Sequence, residues 1–172
     1  MGTVYNDPLG LYIQTFYFEG TGFMLGFLHQ EKSSASISAN LDTLKEKLGD
    51  ELFRSLFSLL LTDRGSRFEK VLLFDTNACA GVGEIKLNIF CCNPMQSAQK
   101  PHVENNHNFI RDIIPNGCPL KNLTQADLDL MLSHINSTLR KSLNGKTPYE
   151  AFSYLFRSDT ARRLNIAPIE RD

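Results

Sequence analysis

Two runs rich in aromatic and β-branched residues, Leu11 to Phe18 and Phe23 to Leu28, are separated only by Glu19-Gly20-Thr21-Gly22. Such residues favour a pleated, half-buried surface, and a short glycine-containing spacer lets the chain reverse between them, so the stretch predicts a β-hairpin. Upstream, Val4-Tyr5 runs into Asn6-Asp7-Pro8-Leu9-Gly10, a cluster of turn formers. A strand is therefore predicted to end near Tyr5 and double back into the hairpin. Three consecutive antiparallel strands at the start of a chain commit it to a sheet that later elements must cover.

Those later elements are mostly helical. Leu41, Leu44 and Leu48 recur at spacings of three and four before Gly49, the pattern of an amphipathic helix with its C-terminal stop. A short helical turn is predicted from Glu51 to Phe57. Leu59-Leu60-Leu61-Thr62-Asp63 is apolar without alternation, as expected of a strand buried on both faces of a sheet, and it breaks at Arg64-Gly65-Ser66. Residues 69–84 show no clear period and are read as irregular. Lys86 to Cys92 predicts another strand, ended by Asn93-Pro94, and a helix is predicted to start near His102. Thr124-Gln125-Ala126-Asp127 and Thr147-Pro148-Tyr149-Glu150 both carry the capping-box pattern, which predicts helices over 125–139 and 148–157. Strands, then a helix, then a buried strand, another strand and further helices make an α/β class with a mixed sheet.

At 172 residues, with no linker or repeat, the chain is read as one domain. No apolar run approaches the roughly 20 residues that span a bilayer. The start, MGTVYNDPLG, lacks a basic head and apolar core of an export signal, so the plain expectation is a cytoplasmic protein with no membrane partner. Cys79, Cys91, Cys92 and Cys118 sit at no metal-ligand spacing and are read as reduced thiols, with Cys91 and Cys92 in a strand. A Cys/His module from Cys91, Cys92, His102 and His107 fits no zinc pattern. His29 and His134 are read as ordinary strand and helix histidines. A net charge of -1 argues against nucleic-acid binding through bulk charge, although residues 100–172 lean basic, with ten basic against eight acidic side chains.

Two carboxylates stand out. Glu104, in Pro101 to Gly117, precedes an apolar series of Phe109, Ile110, Ile113 and Ile114 at helical spacing, which puts it in the first turn of a helix. An acid there complements the helix dipole, or it holds a metal. Asp63 falls at the carboxyl end of a predicted central strand, where open α/β sheets bind ligands; Asp-Arg-Gly-Ser is equally a plain turn. With one strand between them, a compact sheet can return the chain so that the helix of Glu104 lies beside Asp63. Converging carboxylates of this kind suit Mg²⁺, which prefers oxygen ligands.

Three segments carry a family resemblance: LLLTDRGSRF, whose core is 60–68; FCCNPMQSAQKPHVENNHNFIRDIIPNG; and LTQADLDLMLSHINSTLRKSLNGKTPYEAF. Together they resemble the catalytic core of DDE-type bacterial transposases, nearest to insertion-sequence family thirty, through nearly the whole chain. The resemblance implies a ribonuclease-H-like fold over 1–172: a mixed sheet of three antiparallel strands then parallel strands, flanked by helices, with 120–172 as a helical C-terminal extension. It implies metal-dependent phosphodiester cleavage and strand transfer with Mg²⁺ or Mn²⁺, acting on transposon terminal inverted repeats and target DNA. Asp63 matches the second metal-binding acid and Glu104 the third. Arg111 matches a basic residue that the family places near the DNA backbone, and Lys100, Arg140, Lys141 and Lys146 are the other expected DNA contacts; otherwise they read as solvated charges. A homo-oligomer is compatible with this reading.

The departures from the family are specific. Its members begin the first strand with Met-Asp-Thr-Val, whereas this chain reads Met1-Gly2-Thr3-Val4, so Gly2 stands at the first acid. Asp7 lies five residues on, about 16 Å along an extended chain, and does not substitute. Arg64 and Arg67 replace the usual asparagine and glutamate, Pro101 follows Gln99-Lys100 in place of glycine, and the family's N-terminal helix-turn-helix has no counterpart. An arginine beside metal-binding acids competes with a divalent cation. The expectation is a truncated, degenerate core that is inactive in cutting, or a non-catalytic remnant that keeps DNA or subunit contacts.

Overall fold

The computed structural model describes residues 2–4, 11–30, 34–63, 88–92, 101–115 and 117–170, with the side chains of 2–4, 34, 37, 62–63, 88–92 and 101–105 excepted. Strands β1 (Gly2–Val4), β2 (Tyr12–Phe18) and β3 (Phe23–His29) form an antiparallel sheet in the order β1-β2-β3. The predicted hairpin is present, with Ile13 opposite Leu28 and Phe18 opposite Phe23. Its loop reverses through Gly20 at φ 88° and Gly22 at φ 69°, a backbone region that side chains disfavour, and the Gly22 N–H closes it on the Phe18 carbonyl at 2.9 Å. Strands β4 (Leu59–Asp63) and β5 (Asn88–Cys92) pair in parallel, with Asp63 opposite Cys92.

Helices cover both faces of the antiparallel sheet. On one face, Gln14, Phe16, Phe18 and Phe23 meet α1 (Ser34–Leu48), α2 (Asp50–Leu56) and α5 (Pro148–Phe156). Phe57 makes edge contacts with Phe16 and Phe18, and Phe152 stacks on Phe23 with centroids 4.0 Å apart. The expected leucine seam Leu41, Leu44 and Leu48 is buried here, and the Gly49 N–H ends α1 on the Lys45 carbonyl at 2.8 Å. The other face, with Ile13, Thr15 and Gly26, meets α3 (Pro101–Ile113) and α4 (Gln125–Asn136). Gly26 is what lets α4 approach: a Cβ there would lie 2.9 Å from Leu132 Cδ1 and 3.4 Å from Leu128 Cδ2.

Helix α4 also closes the outer edge of β3. Asn136 accepts from the Met24 N–H at 2.9 Å and donates to the Met24 carbonyl at 2.8 Å, while Gln125 accepts from the Leu28 N–H and donates to the Gly26 carbonyl, both at 2.9 Å. A bare strand edge carries unpaired donors and acceptors, and these two amides occupy them. Beyond α4, the extended segment after α6 (Ser158–Arg163) lies along the same helix. Asn165 Nδ2 donates to Asp129 Oδ2 at 3.1 Å, the Ala167 N–H to Ser133 Oγ at 3.2 Å and the Ile169 N–H to Ser137 Oγ at 2.9 Å. Two extended residues advance about 6.6 Å and four helical residues about 6 Å, so the two elements stay in step.

Several expectations need adjustment. Leu59 is 55% exposed while Leu60 is buried, so β4 emerges from the surface at its start and is not covered on both sides throughout. Helix α4 stops three residues earlier than predicted, because Thr138 Oγ1 and Arg140 Nη2 take the His134 and Ile135 carbonyls and end the ladder. Arg140 is consequently in extended backbone, not at a solvated helix end. Helix α6 was not foreseen. The expected strand end at Tyr5, the turn cluster 6–10 and the irregular stretch 69–84 lie outside the described residues. Among the described residues no helix is long and apolar enough to cross a membrane.

Candidate functional site

Asp63 is the last residue of β4 and sits at the carboxyl end of the parallel pair, the position from which a strand presents ligands to a site. Glu104 is the fourth residue of α3, the helix entered after β5. Asp63 thus stands at the end of β4 and Glu104 near the start of the helix that follows β5, while their side chains, like Lys100, Arg64, Arg67, Asp7 and Cys79, lie outside what is described. Cys91 and Cys92 fall in β5 as expected, and Cys118 is an exposed free thiol. Among the described residues no cluster of three or more histidine, cysteine or acidic side chains forms a metal site.

The position of Gly2 is fixed by strand register. Gly2 pairs with Thr15 across β1 and β2, and directly opposite residues share a face of the sheet. Thr15 is fully buried, and its hydroxyl lies 2.8 Å from His107 Nε2. His107 is three residues beyond Glu104, and residues three apart are neighbours on a helix surface. Residue 2 therefore lies on the strand neighbouring Thr15, whose hydroxyl meets α3 at His107. Sequence reasoning missed Thr15 and weighed His107 only as a member of a Cys/His module. The available signals were a threonine inside an aromatic strand and a histidine one helical turn beyond the glutamate.

The expected DNA-contacting residues separate into two kinds. Arg111, seven residues beyond Glu104, is exposed and donates to Asn108 Oδ1 at 3.0 Å; Lys141 and Lys146 are also exposed. Arg140 differs: it is half-buried, its guanidinium carbon lies 3.6 Å from the Phe109 ring centroid, and Nη2 donates to the Ile135 carbonyl at 3.3 Å. Burial lowers its pKa, but a guanidinium is so basic that the group stays a cation. Tyr17 in turn has its phenol pKa raised, chiefly by burial, against a hydrogen bond to Asn106. These residues line a cleft of about 230 Å³ with Glu19, Gly20, Gly22, Phe109, Ser142 and Leu143. It opens at the hairpin end of the sheet face that carries Thr15.

His29 and His134 behave as expected. His134 is an exposed residue of α4, and His29 ends β3, buried beside Gln14 and Asn40 and stacked on Tyr12.

No family model matches the chain. Among curated proteins, it is 32% identical over 119 residues to the transposase InsI for insertion sequence element IS30A of Escherichia coli (strain K12), covering 69% of this chain and 28% of that protein. The transposase InsI for element IS30C of the same strain matches equally. The transposase for insertion sequence element IS1086 of Cupriavidus metallidurans is 26% identical over 76 residues, covering 44% of this chain and 22% of that protein. The match thus spans a little over a quarter of the length of the IS30 relatives. Over that shared segment the chain belongs to the IS30-type transposase family.

Proposed function

We propose that the chain is a ribonuclease-H-like catalytic core of a DDE-type transposase, one domain over 1–172 with a helical extension from 120 to 172, that holds DNA but has lost cutting at Gly2. The single observation that carries this reading is the line from Gly2 through Thr15 to His107, because it sets the first-acid position against the helix of Glu104. The edge of β1 away from β2 is where β4 would pair, giving the order β3-β2-β1-β4-β5 and bringing Asp63 to the same place. In that arrangement three carboxylates would surround one site, and this chain supplies two.

Two carboxylates fit a single, weakly held Mg²⁺ or Mn²⁺, not a pair of ions. When bound, such ions stabilise the attacking and leaving oxygens of a phosphodiester. Asp63 and Glu104 would hold the ion, and Arg111, Arg140, Lys141, Lys146 and Lys100 would contact phosphates and fix the DNA without reading its sequence. Strand transfer on terminal repeats and target DNA, and assembly with further copies, belong to this proposal as the activities of an intact relative.

The test is a nicking assay with Mn²⁺ on DNA carrying a terminal inverted repeat, run beside a binding assay. The expected outcome is DNA binding without cleavage. Mn²⁺ affinity, read by electron paramagnetic resonance, should be weak, should fall in Asp63→Asn and Glu104→Gln, and should rise about tenfold, or about 1.4 kcal/mol, in Gly2→Asp. Efficient cutting by the chain as it stands would remove the claim of inactivity; a Gly2→Asp variant with unchanged Mn²⁺ affinity would remove the shared site.

A further inference from the structure

We infer that the cleft between the β2–β3 hairpin, α3 and the turn after α4 is a phosphodiester pocket, with Arg140 as its cation and Tyr17, Asn106 and Ser142 as its hydrogen-bonding walls. The inference rests on the DNA-binding reading above and assigns it a particular place.

Arg140 is the starting point. A guanidinium carries five N–H donors in a planar fork suited to phosphate oxygens. The contacts of the Arg140 guanidinium are one long hydrogen bond to the Ile135 carbonyl and the face of Phe109. Among the described residues it forms no ion pair, although it is half-buried and a buried charge without a counter-ion is unfavourable. The guanidinium lies over the Phe109 ring, and both residues line the cleft. Tyr17, Asn106 and Ser142 line the same cleft; Tyr17 and Asn106 are hydrogen-bonded to each other, and phenol, amide and hydroxyl are groups that can donate to an anionic oxygen. Glu19 is the one acid in the lining, and it is exposed, where solvent and salt screen it.

Location sets the ligand class. Tyr17 is two residues along β2 from Thr15, on the same face, about 6.6 Å away, and Asn106 directly precedes His107, the partner of Thr15, in α3. The cleft therefore adjoins the candidate site, and a DNA strand lying across that site would place a neighbouring phosphate in it. Exposed Lys141 and Lys146 lie close in sequence to Arg140, Ser142 and Leu143 of the lining.

The experiment measures binding of a fluorescein-labelled DNA duplex to the whole chain by anisotropy, without metal, over a series of NaCl concentrations. Arg140→Met keeps the aliphatic stem on Phe109 and removes the charge; it should weaken binding about tenfold and lower the salt slope by about one. Tyr17→Phe and Ser142→Ala should each weaken binding about threefold, and Glu19→Gln should tighten it. A guanidinium that only terminates α4 would change the melting temperature on substitution and leave the salt slope untouched, and that result overturns the pocket. Inorganic phosphate at constant ionic strength should compete poorly; full displacement of the DNA by it would overturn the phosphodiester assignment in favour of a free anion. If the unaltered chain fails to bind DNA at any salt concentration, the functional reading fails with it, whereas binding that survives Arg140→Met unchanged removes this inference alone.

Discussion

Gln14 and His29, with Asn40 of α1, form a polar group on a sheet face otherwise lined with aromatic rings and Leu25. Gln14 Oε1 accepts from Asn40 Nδ2 at 2.8 Å, and His29 Nε2 lies 2.9 Å from Gln14 Oε1 and 2.7 Å from Asn40 Nδ2. In a neutral ring Nε2 donates to Gln14 or accepts from Asn40, never both at once. Burial lowers the His29 pKa below its ordinary value near 6.5. The unfolded chain then takes up the proton first, so this contribution to stability is complete above the ordinary pKa and declines as pH falls from there toward the depressed native value. Urea unfolding across that window should show the decline, and His29→Gln should flatten it. Asn136 offers a second residue-scale test: Asn136→Ala strips partners from the Met24 N–H and carbonyl and should cost about 2–4 kcal/mol in the same measurement. Neither role was legible in the sequence. An isolated Gln, His or Asn carries no period, and its partner depends on strand register that only the fold supplies.

Helices and strands were far more legible than residue roles, because periodicity and caps are local. Both capping boxes form as read: Thr124 with Asp127 and Thr147 with Glu150 exchange side-chain and backbone bonds, and these bonds hold both carboxyl pKa values down. The hairpin register likewise follows from two aromatic runs and a four-residue loop. What failed were elements ended or begun by tertiary contacts. The turn into α6 is made at Arg157, whose φ of 66° and ψ of 148° belong to a region usually reserved for glycine, so the sequence offered no breaker to notice. Relief of that strain should make Arg157→Gly about 1 kcal/mol more stable despite glycine's greater freedom in the unfolded chain. Thermal unfolding would register it, and a loss of stability would mean the position is unstrained. The candidate site shows the same division: Asp63 and Glu104 could be placed on a strand end and a helix start from pattern alone, but the link from residue 2 to α3 needed Thr15 and His107 in three dimensions.

On the scale of the whole molecule, the C-terminal segment ties distant parts together. Ile166 is 1% exposed within the core, and Asn165, Ala167 and Ile169 bond to three successive turns of α4, which itself packs on β3. Ile166→Ala should cost about 2–4 kcal/mol, measurable in urea, with hydrogen exchange accelerating in α4 as well as in the segment itself. The same chain of contacts bears on what the hairpin edge meets while the chain is being made. Until residues 125–136 have been synthesised and docked, the outward donors and acceptors of Met24, Gly26 and Leu28 have no amides to meet them, and the hairpin can zip onto another copy. A fragment ending at residue 123 should accordingly sediment as large particles and bind amyloid dyes, and adding the missing C-terminal piece in trans should suppress both, making the end of the polypeptide a built-in chaperone for its beginning.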